Sequence, residues 1–529
     1  MLMTVTPARA LAILVFSLLT IAGSSMPSAQ TAGPWMIAST LTASNAGEDD
    51  HLGAGNALTG ASLGLSRDGR TLAVAAPLED SDARGVNGNQ RNDSAFDSGA
   101  VYVFTQSGSN WVQQAYLKAS NAASGDQFGF AVALSGDGNT LAVASNFEDS
   151  GATGINGDQN YESASGAGAV YVFVRNGAAW SQQAYIKASN ASEGDRFGYS
   201  LALSDDGSTL AVGAIGEDSV STGTAGNQTD NSAEQAGATY VFTRNGAAWT
   251  QQAYLKASNT QAGDMFGFCV ALSGDGNTLG VCAYDEDSSA EGIDGDQTDN
   301  RSNGSGAAYV LVRSGAVWRQ QAYVKASNTT LQGAFGAAIA LSGDGNTLAI
   351  CAVDEDGLNP GVGGVPWQAD RKAAERTRVA EDSAGAVYVY GRSGTTWSFQ
   401  TYIKSSNIRA NDYFGARLAL NRDGTILAAG APQQPGGGSG VNPSSKESSA
   451  PESGAVYVFA RRAGTWIEEA YVKAPNAEEY DQFGSGVALS GDGATLAISA
   501  MGEDSAVADG SARDSIRDSG AVYVHRRSN

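Results

Sequence analysis

Residues 197–214, FGYSLALSDDGSTLAVGA, hold two apolar runs joined at Asp205-Asp206-Gly207. Asp-Gly between apolar runs is a hairpin signal, because Gly accepts the positive φ of a tight turn. A polar loop follows, from Gly216 to about Gln235. Residues 237–257, GATYVFTRNGAAWTQQAYLKA, then supply two more runs about Asn245-Gly246. Gly237–Thr243 is apolar on both faces, as in a strand held between two neighbours. The pattern predicts strands over Phe197–Ser204, Thr209–Ala214, Gly237–Thr243 and Trp249–Ala257, with no helical periodicity.

This unit recurs. Its turn aspartates are Asp68, Asp137, Asp206, Asp275, Asp344, Asp423 and Asp492, spaced by 69 residues except for one step of 79. Trp111, Trp180, Trp249, Trp318, Trp397 and Trp466 keep the same rhythm, Trp35 precedes them by 76 residues, and only Trp367 stands outside the series. Length alone would imply three or four domains, but seven copies of one unit imply one repeat architecture. Four antiparallel strands repeated radially describe an all-β, seven-bladed β-propeller. The chain ends on a third strand, Gly520–Arg526. It opens with Trp35-Met36-Ile37-Ala38, which aligns on Trp111-Val112-Gln113-Gln114. The N-terminal strand is therefore expected to complete the last blade and close the ring.

Residues 1–30 have the layout of a secretory signal peptide: Arg9, the apolar run Ala10–Ala22, then small residues. The run is too short for a membrane span. Residues 31–529 are expected to form a single exported propeller, secreted, periplasmic or at the cell surface, and monomeric. The net charge of −23 argues against nucleic acid or anionic lipid as a partner. Three cysteines do not make a disulfide scaffold. Cys269 and Cys282 face each other across a turn, which fits either a cross-strand disulfide or two small buried residues. Cys351 is expected to be a buried thiol.

The units resemble FG-GAP repeats, the blades of the integrin α-chain propeller. Phe-Gly recurs at Phe128-Gly129, Phe197-Gly198, Phe266-Gly267, Phe335-Gly336, Phe414-Gly415 and Phe483-Gly484, with Thr59-Gly60 in that place in the first unit. Gly430-Ala431-Pro432 keeps the second element, which drifts elsewhere, as at Ala144-Ser145-Asn146. The resemblance implies a seven-bladed propeller with a role in adhesion or ligand recognition. Calcium-binding members carry several aspartates on the first hairpin turn. Turns such as Ser135-Gly136-Asp137-Gly138-Asn139 offer too few ligands, and no calcium is expected there.

The long loops between second and third strands hold much of the acid. Blade two has Glu148, Asp149, Asp158 and Glu162. Blade four has Asp285, Glu286, Asp287, Glu291, Asp294, Asp296 and Asp299. A sub-motif recurs as Asn156-Gly157-Asp158-Gln159 and Asp294-Gly295-Asp296-Gln297. Two readings stand: a Ca²⁺ site using Asp158, Asp294, Asp296 and Asp299, or solvated loops with Asx turns. The fold would gather these loops on one acidic face, suited to Ca²⁺ or a basic partner.

The repeat breaks at Glu48–Leu58, with Asp49, Asp50 and His51, at Gly357–Asp382, and at Gln433–Ser449. The second break carries Trp367, Arg371, Lys372 and Arg376, an expected ligand-binding cluster, and Gln368–Glu381 reads as a short helix. With two histidines, His51 and His525, and no nucleophile elbow or P-loop, catalysis finds little support. The favoured reading is an exported, non-enzymatic recognition or adhesion propeller for an extracellular protein or glycan. The alternative is an extracellular polysaccharide hydrolase or lyase working through loop carboxylates, with or without Ca²⁺.

Overall fold

The computed structural model describes residues 33–54, 62–224, 226–364, 383–443, 449–504 and 516–528. Seven antiparallel sheets of four principal strands form the blades of one propeller. Blade three runs Phe197–Leu203, Thr209–Ala214, Ala238–Asn245 and Ala248–Leu255, close to the sequence expectation. The described residues contain no helix, and none long and apolar enough to cross a membrane. The signal-peptide segment lies outside the described residues.

The last blade orders Trp35–Leu41, Ala521–Arg527, Thr495–Ala500 and Phe483–Leu489. Its outer strand thus comes from the opposite end of the chain, in register from Trp35↔Arg527 to Leu41↔Val522. Outer edges elsewhere are shielded by the long loop between second and third strands. That loop straps across the fourth strand through single bridges at Val86↔Leu117, Ile155↔Ile186, Ile293↔Val324 and Val362↔Ile403. In blade six the strap lengthens into a fifth strand, Gly440–Val441. Covered edges deny a second chain a template for pairing.

Two contacts join each blade to the next. At the first hairpin turns, one backbone hydrogen bond passes between every pair of neighbours. The donors are Arg67, Asp137, Asp205, Gly274, Asp344, Arg422 and Gly491, and the acceptors Gly136, Asp205, Gly274, Gly343, Arg422, Gly491 and Arg67. The circle closes on itself. The second contact lies where the glycine opening a third strand meets the Phe-Gly of the following blade. Gly168 has φ 80°, and a Cβ there would lie 2.2 Å from the Phe197 carbonyl oxygen. Gly198, with φ 97°, faces Ala144 and the Ala169 carbonyl across the same seam.

The first blade corrects the sequence reading. Leu52-Gly53, not Thr59-Gly60, fills the Phe-Gly register. Gly53 donates to Ala75 as Gly129 donates to Ala144, and Leu52 backbone faces Gly520 as Phe128 faces Gly99. Sequence spacing misled because the extra residues follow this glycine rather than precede it.

One register of the first strands lines the axis with small residues: Ser62, Ala131, Ser200, Cys269, Ala338 and Gly486. Arg417 is the sole large member. The next register, Leu63, Val132, Leu201, Val270, Ile339, Leu418 and Val487, is branched aliphatic throughout. All three cysteines are buried free thiols, so no disulfide joins Cys269 to Cys282.

Gly168→Ala is expected to lower stability by about 2–4 kcal/mol, through left-handed strain plus a clash with backbone that cannot turn aside. Urea denaturation checks this; a loss under about 0.5 kcal/mol, the ordinary surface range, would remove the seam from the account.

Candidate functional site

The acids of the long loops divide into two groups, and the larger surprise is inside. Glu79, Glu148, Glu217, Glu286 and Glu355 sit buried between blades. Each meets a buried lysine from the end of its own blade's fourth strand. Lys118, Lys187, Lys256 and Lys325 reach Glu79, Glu148, Glu217 and Glu286 at 2.7–2.8 Å, and Lys404 pairs with Glu355.

The rest of each cluster satisfies the remaining polar atoms. Glu148 accepts from the Tyr185 hydroxyl at 2.7 Å and from Asn121 Nδ2 at 3.0 Å. Asn121 comes from the preceding blade and also accepts from the Tyr171 hydroxyl at 2.5 Å. Burial pulls the lysines down from their ordinary value while the facing glutamates oppose that pull. A buried pair can break even against an apolar one, but removing one partner costs about 3–5 kcal/mol. These acids are therefore structural, and the reading of Glu148 and Glu286 as surface loop acids is corrected.

A second buried carboxyl stands two residues before the Phe-Gly position in six of the seven units, Gly333 taking its place before Phe335-Gly336. Asp50, Asp126, Asp195, Asp264, Asp412 and Asp481 each accept the backbone N–H three residues back, at 2.6–3.0 Å. Burial pushes them up to about 7 or 8. Asp50 belongs to this set, so it is a repeat position rather than part of an insertion.

The recurring Asn-Gly-Asp-Gln motif holds the strap in place. Asn156 Oδ1 accepts the Tyr185 N–H at 3.0 Å, with Asn156 at φ 56°. The Gln159 carbonyl accepts Asn121 Nδ2 at 3.0 Å. In blade four Asp294 takes the same part, accepting the Tyr323 N–H at 3.0 Å. Asp158 closes an Asx turn with Asn160, and Asp296 one with Thr298. Asp299 accepts from Arg301 at 2.7 Å and also bonds Ser289. The one triplet of ligand-type groups within 4.8 Å of one another among the described residues is different: Asp49, His51 and Asp518. Arg517 already pairs with Asp49 at 2.7 Å and with Glu48 at 3.0 Å. His525 is buried in a third strand, where burial pulls it down to about 4 and keeps it neutral. Trp367, Arg371, Lys372 and Arg376 lie outside the described residues, as does the expected helix.

The tryptophans form an outer belt. Trp180, Trp249, Trp318 and Trp397 donate through Nε1 to Gln114, Gln183, Gln252 and Gln321 of the preceding blade at 2.9–3.1 Å. Arg175, Arg244, Arg313 and Arg392 stack over these rings.

What remains free to meet a partner is the outside of the strap face. The loops between second and third strands and the blade-to-blade connections share this face, since Gly125 donates to Phe96 and Tyr480 to Pro451. Phe96, Tyr161, Leu331, Leu358 and Tyr480 stand exposed there, Phe96 at 67%. Exposed acids, including Glu162, Glu193 and Glu234, lie among them. Sequence periodicity missed these contacts because they occupy loop positions that differ from blade to blade.

In blade six Gln434 replaces the glutamate. Lys473 is left with Ser453 Oγ at 2.6 Å and Gln434 Oε1 at 3.5 Å. Burial lowers it to about 7, with Asp481 and Asp412 opposing and Arg409 adding to the shift. The unfolded amine binds its proton up to about pH 10.5, so this group's contribution to stability is present above that pH. It is lost as pH falls through about 7. Gln434→Glu is expected to restore the pair and raise the urea midpoint most at pH 6, with the gain shrinking toward pH 10. An equal shift at both pH values would show that Lys473 is not the titrating group.

The FG-GAP repeat profile matches residues 111–173, 180–242, 249–311 and 466–525. No curated protein matches the chain. Among solved structures, the periplasmic gluconolactonase of Pseudomonas aeruginosa is 15% identical at a TM-score of 0.42, covering 79% of this chain and 86% of its own. Saccharomyces cerevisiae Sqt1 is 11% identical at a TM-score of 0.42, covering 93% and 99%. Likeness at this level assigns no function to the chain.

Proposed function

We propose that this seven-bladed propeller, four of whose repeats match the FG-GAP profile, is an exported recognition module that binds an extracellular protein or glycan on its strap face. The observation that carries this reading is the division of labour among its polar groups. Glutamates, lysines, tyrosines and asparagines inside the blades satisfy one another. Exposed aromatic and aliphatic side chains among carboxylates collect on the outside of one face. Aromatic anchors in a charged rim are the composition of a contact surface, and the acidity favours a partner with basic groups. Trp367, Arg371, Lys372 and Arg376 are proposed as a further ligand-binding cluster. Calcium at Asp158 or at Asp294, Asp296 and Asp299 would have to share carboxylates that already serve the straps.

A panel of extracellular proteins and glycans, screened by surface plasmon resonance at two ionic strengths, tests this. The expected result is a ligand whose affinity falls with salt and drops at least tenfold in a Phe96→Ala/Tyr161→Ala/Tyr480→Ala variant. Binding that ignores both would move the site off this face. Turnover of a glycan, abolished by Glu162→Gln, would replace recognition with hydrolysis. Calorimetric titration with CaCl₂ is expected to be flat.

A further inference from the structure

A short backbone ladder recurs where one blade leads into the next. Two N–H groups of the connection, two residues apart, donate to consecutive carbonyls of the loop between second and third strands. Gly125 and Gln127 bond Phe96 and Asp97 in this way, and Tyr480 and Gln482 bond Pro451 and Glu452. The junction that closes the ring keeps the ladder: Asp49 donates to Arg517 and His51 to Asp518, each at 3.0 Å. Its side chains are unlike the others. His51 stands where other junctions have Gln127, Arg196 or Met265, and Asp518 where they have Asp97, Gly166 or Gln235. Asp49 stands where Gly125, Gly194 and Gly263 do. The same scaffold thus carries an imidazole facing carboxylates at one junction alone.

The three side chains converge. One ligand atom from each of Asp49, His51 and Asp518 lies within 4.8 Å of the other two. His51 Nδ1 is 3.0 Å from the Met501 carbonyl oxygen. A carbonyl only accepts, so in the neutral ring Nδ1 carries the proton and Nε2 keeps its lone pair, the state in which histidine ligates metals. The Asp518 N–H donates to Asp504 Oδ1 at 2.8 Å, which anchors the second segment. Arg517 donates to Asp49 Oδ2 at 2.7 Å and to Glu48 Oε1 at 3.0 Å. An ion can use Asp49 Oδ1 beside that pair, or displace the guanidinium, which keeps Glu48.

We propose that Asp49, His51 and Asp518 bind one divalent ion of the Zn²⁺ class, which clasps the two ends of the chain where the ring closes. One imidazole nitrogen and two carboxylates suit such an ion, with water in the remaining position. Ca²⁺ takes about six to eight oxygens and is poorly served by three groups that include a nitrogen. Zinc sits about 2.0–2.2 Å from these ligands. Asp49 is exposed and the other two are half-buried, so their side chains are able to swing onto it. The clasp would reinforce the pairing of Trp35–Leu41 with the last blade. That blade has Thr42 in place of the buried lysine.

Calorimetric titration of the untagged chain with ZnCl₂ tests the site, beside His51→Gln and Asp518→Gln. The repeat itself places Gln127 and Gln482 at the first position and Gln235 at the second, so both variants keep the ladder. The wild type is expected to bind one ion, and each variant at least tenfold more weakly. Zinc at about a hundred times its dissociation constant is expected to raise the wild-type melting midpoint by about 3 °C, and that of His51→Gln by under about 1 °C. A flat wild-type titration would overturn the proposal. So would His51→Gln binding as tightly as the wild type, the mark of an adventitious ion only.

Discussion

Five of the seven blades depend on one buried ion pair, the glutamate that follows the second strand and the lysine that ends the fourth. Burying one such ion without a partner costs several kcal/mol, and each charge of the pair offsets the burial of the other. Together they fix the long loop against the fourth strand. The asparagine of the preceding blade then completes the glutamate's hydrogen bonds, so the pair also specifies how one blade meets the next. The strap, the covered edge and the shared face all follow from that placement.

The arrangement is uneven round the ring. Blades one to five carry the full pair. Blade six keeps the lysine but presents Gln434. The last blade keeps Glu503, which accepts the Tyr523 hydroxyl at 2.7 Å, while its outer strand ends in Thr42 where the others have lysine. The last blade contains the pairing of the two chain ends, blade six lies next to it, and Arg417 on the first strand of blade six breaks the axial register there. The departures from repetition therefore gather on one side of the molecule.

Much of the fold was legible from period, turn chemistry and the split last blade. The Asp-Gly turns fixed the hairpins, and Trp35 aligned on Trp111 announced the ring closure. The site was far less legible. Glu148 reads as one acid among several in a polar loop, and nothing local distinguishes its burial from the exposure of Glu162. The signal was long-range: Lys187 stands at the same distance from Glu148 as Lys256 does from Glu217. Exposed contacts such as Phe96 leave no such trace, because a loop position that differs in every blade has no period. The Asn-Gly-Asp-Gln motif misled in another way, since amides and carboxylates around glycine suit a metal cage and a backbone clasp alike.

The chain has eight lysines, and six of them, Lys118, Lys187, Lys256, Lys325, Lys404 and Lys473, are buried in the blades. The other two, Lys372 and Lys446, lie outside the described residues. Among the described residues, amine-directed reagents and lysine-specific proteases thus find no exposed lysine on the folded ring, and six blades present their lysine only by opening. Labelling kinetics at those positions would read the local opening of each blade separately, turning a structural pair into a built-in reporter of where the ring first comes apart.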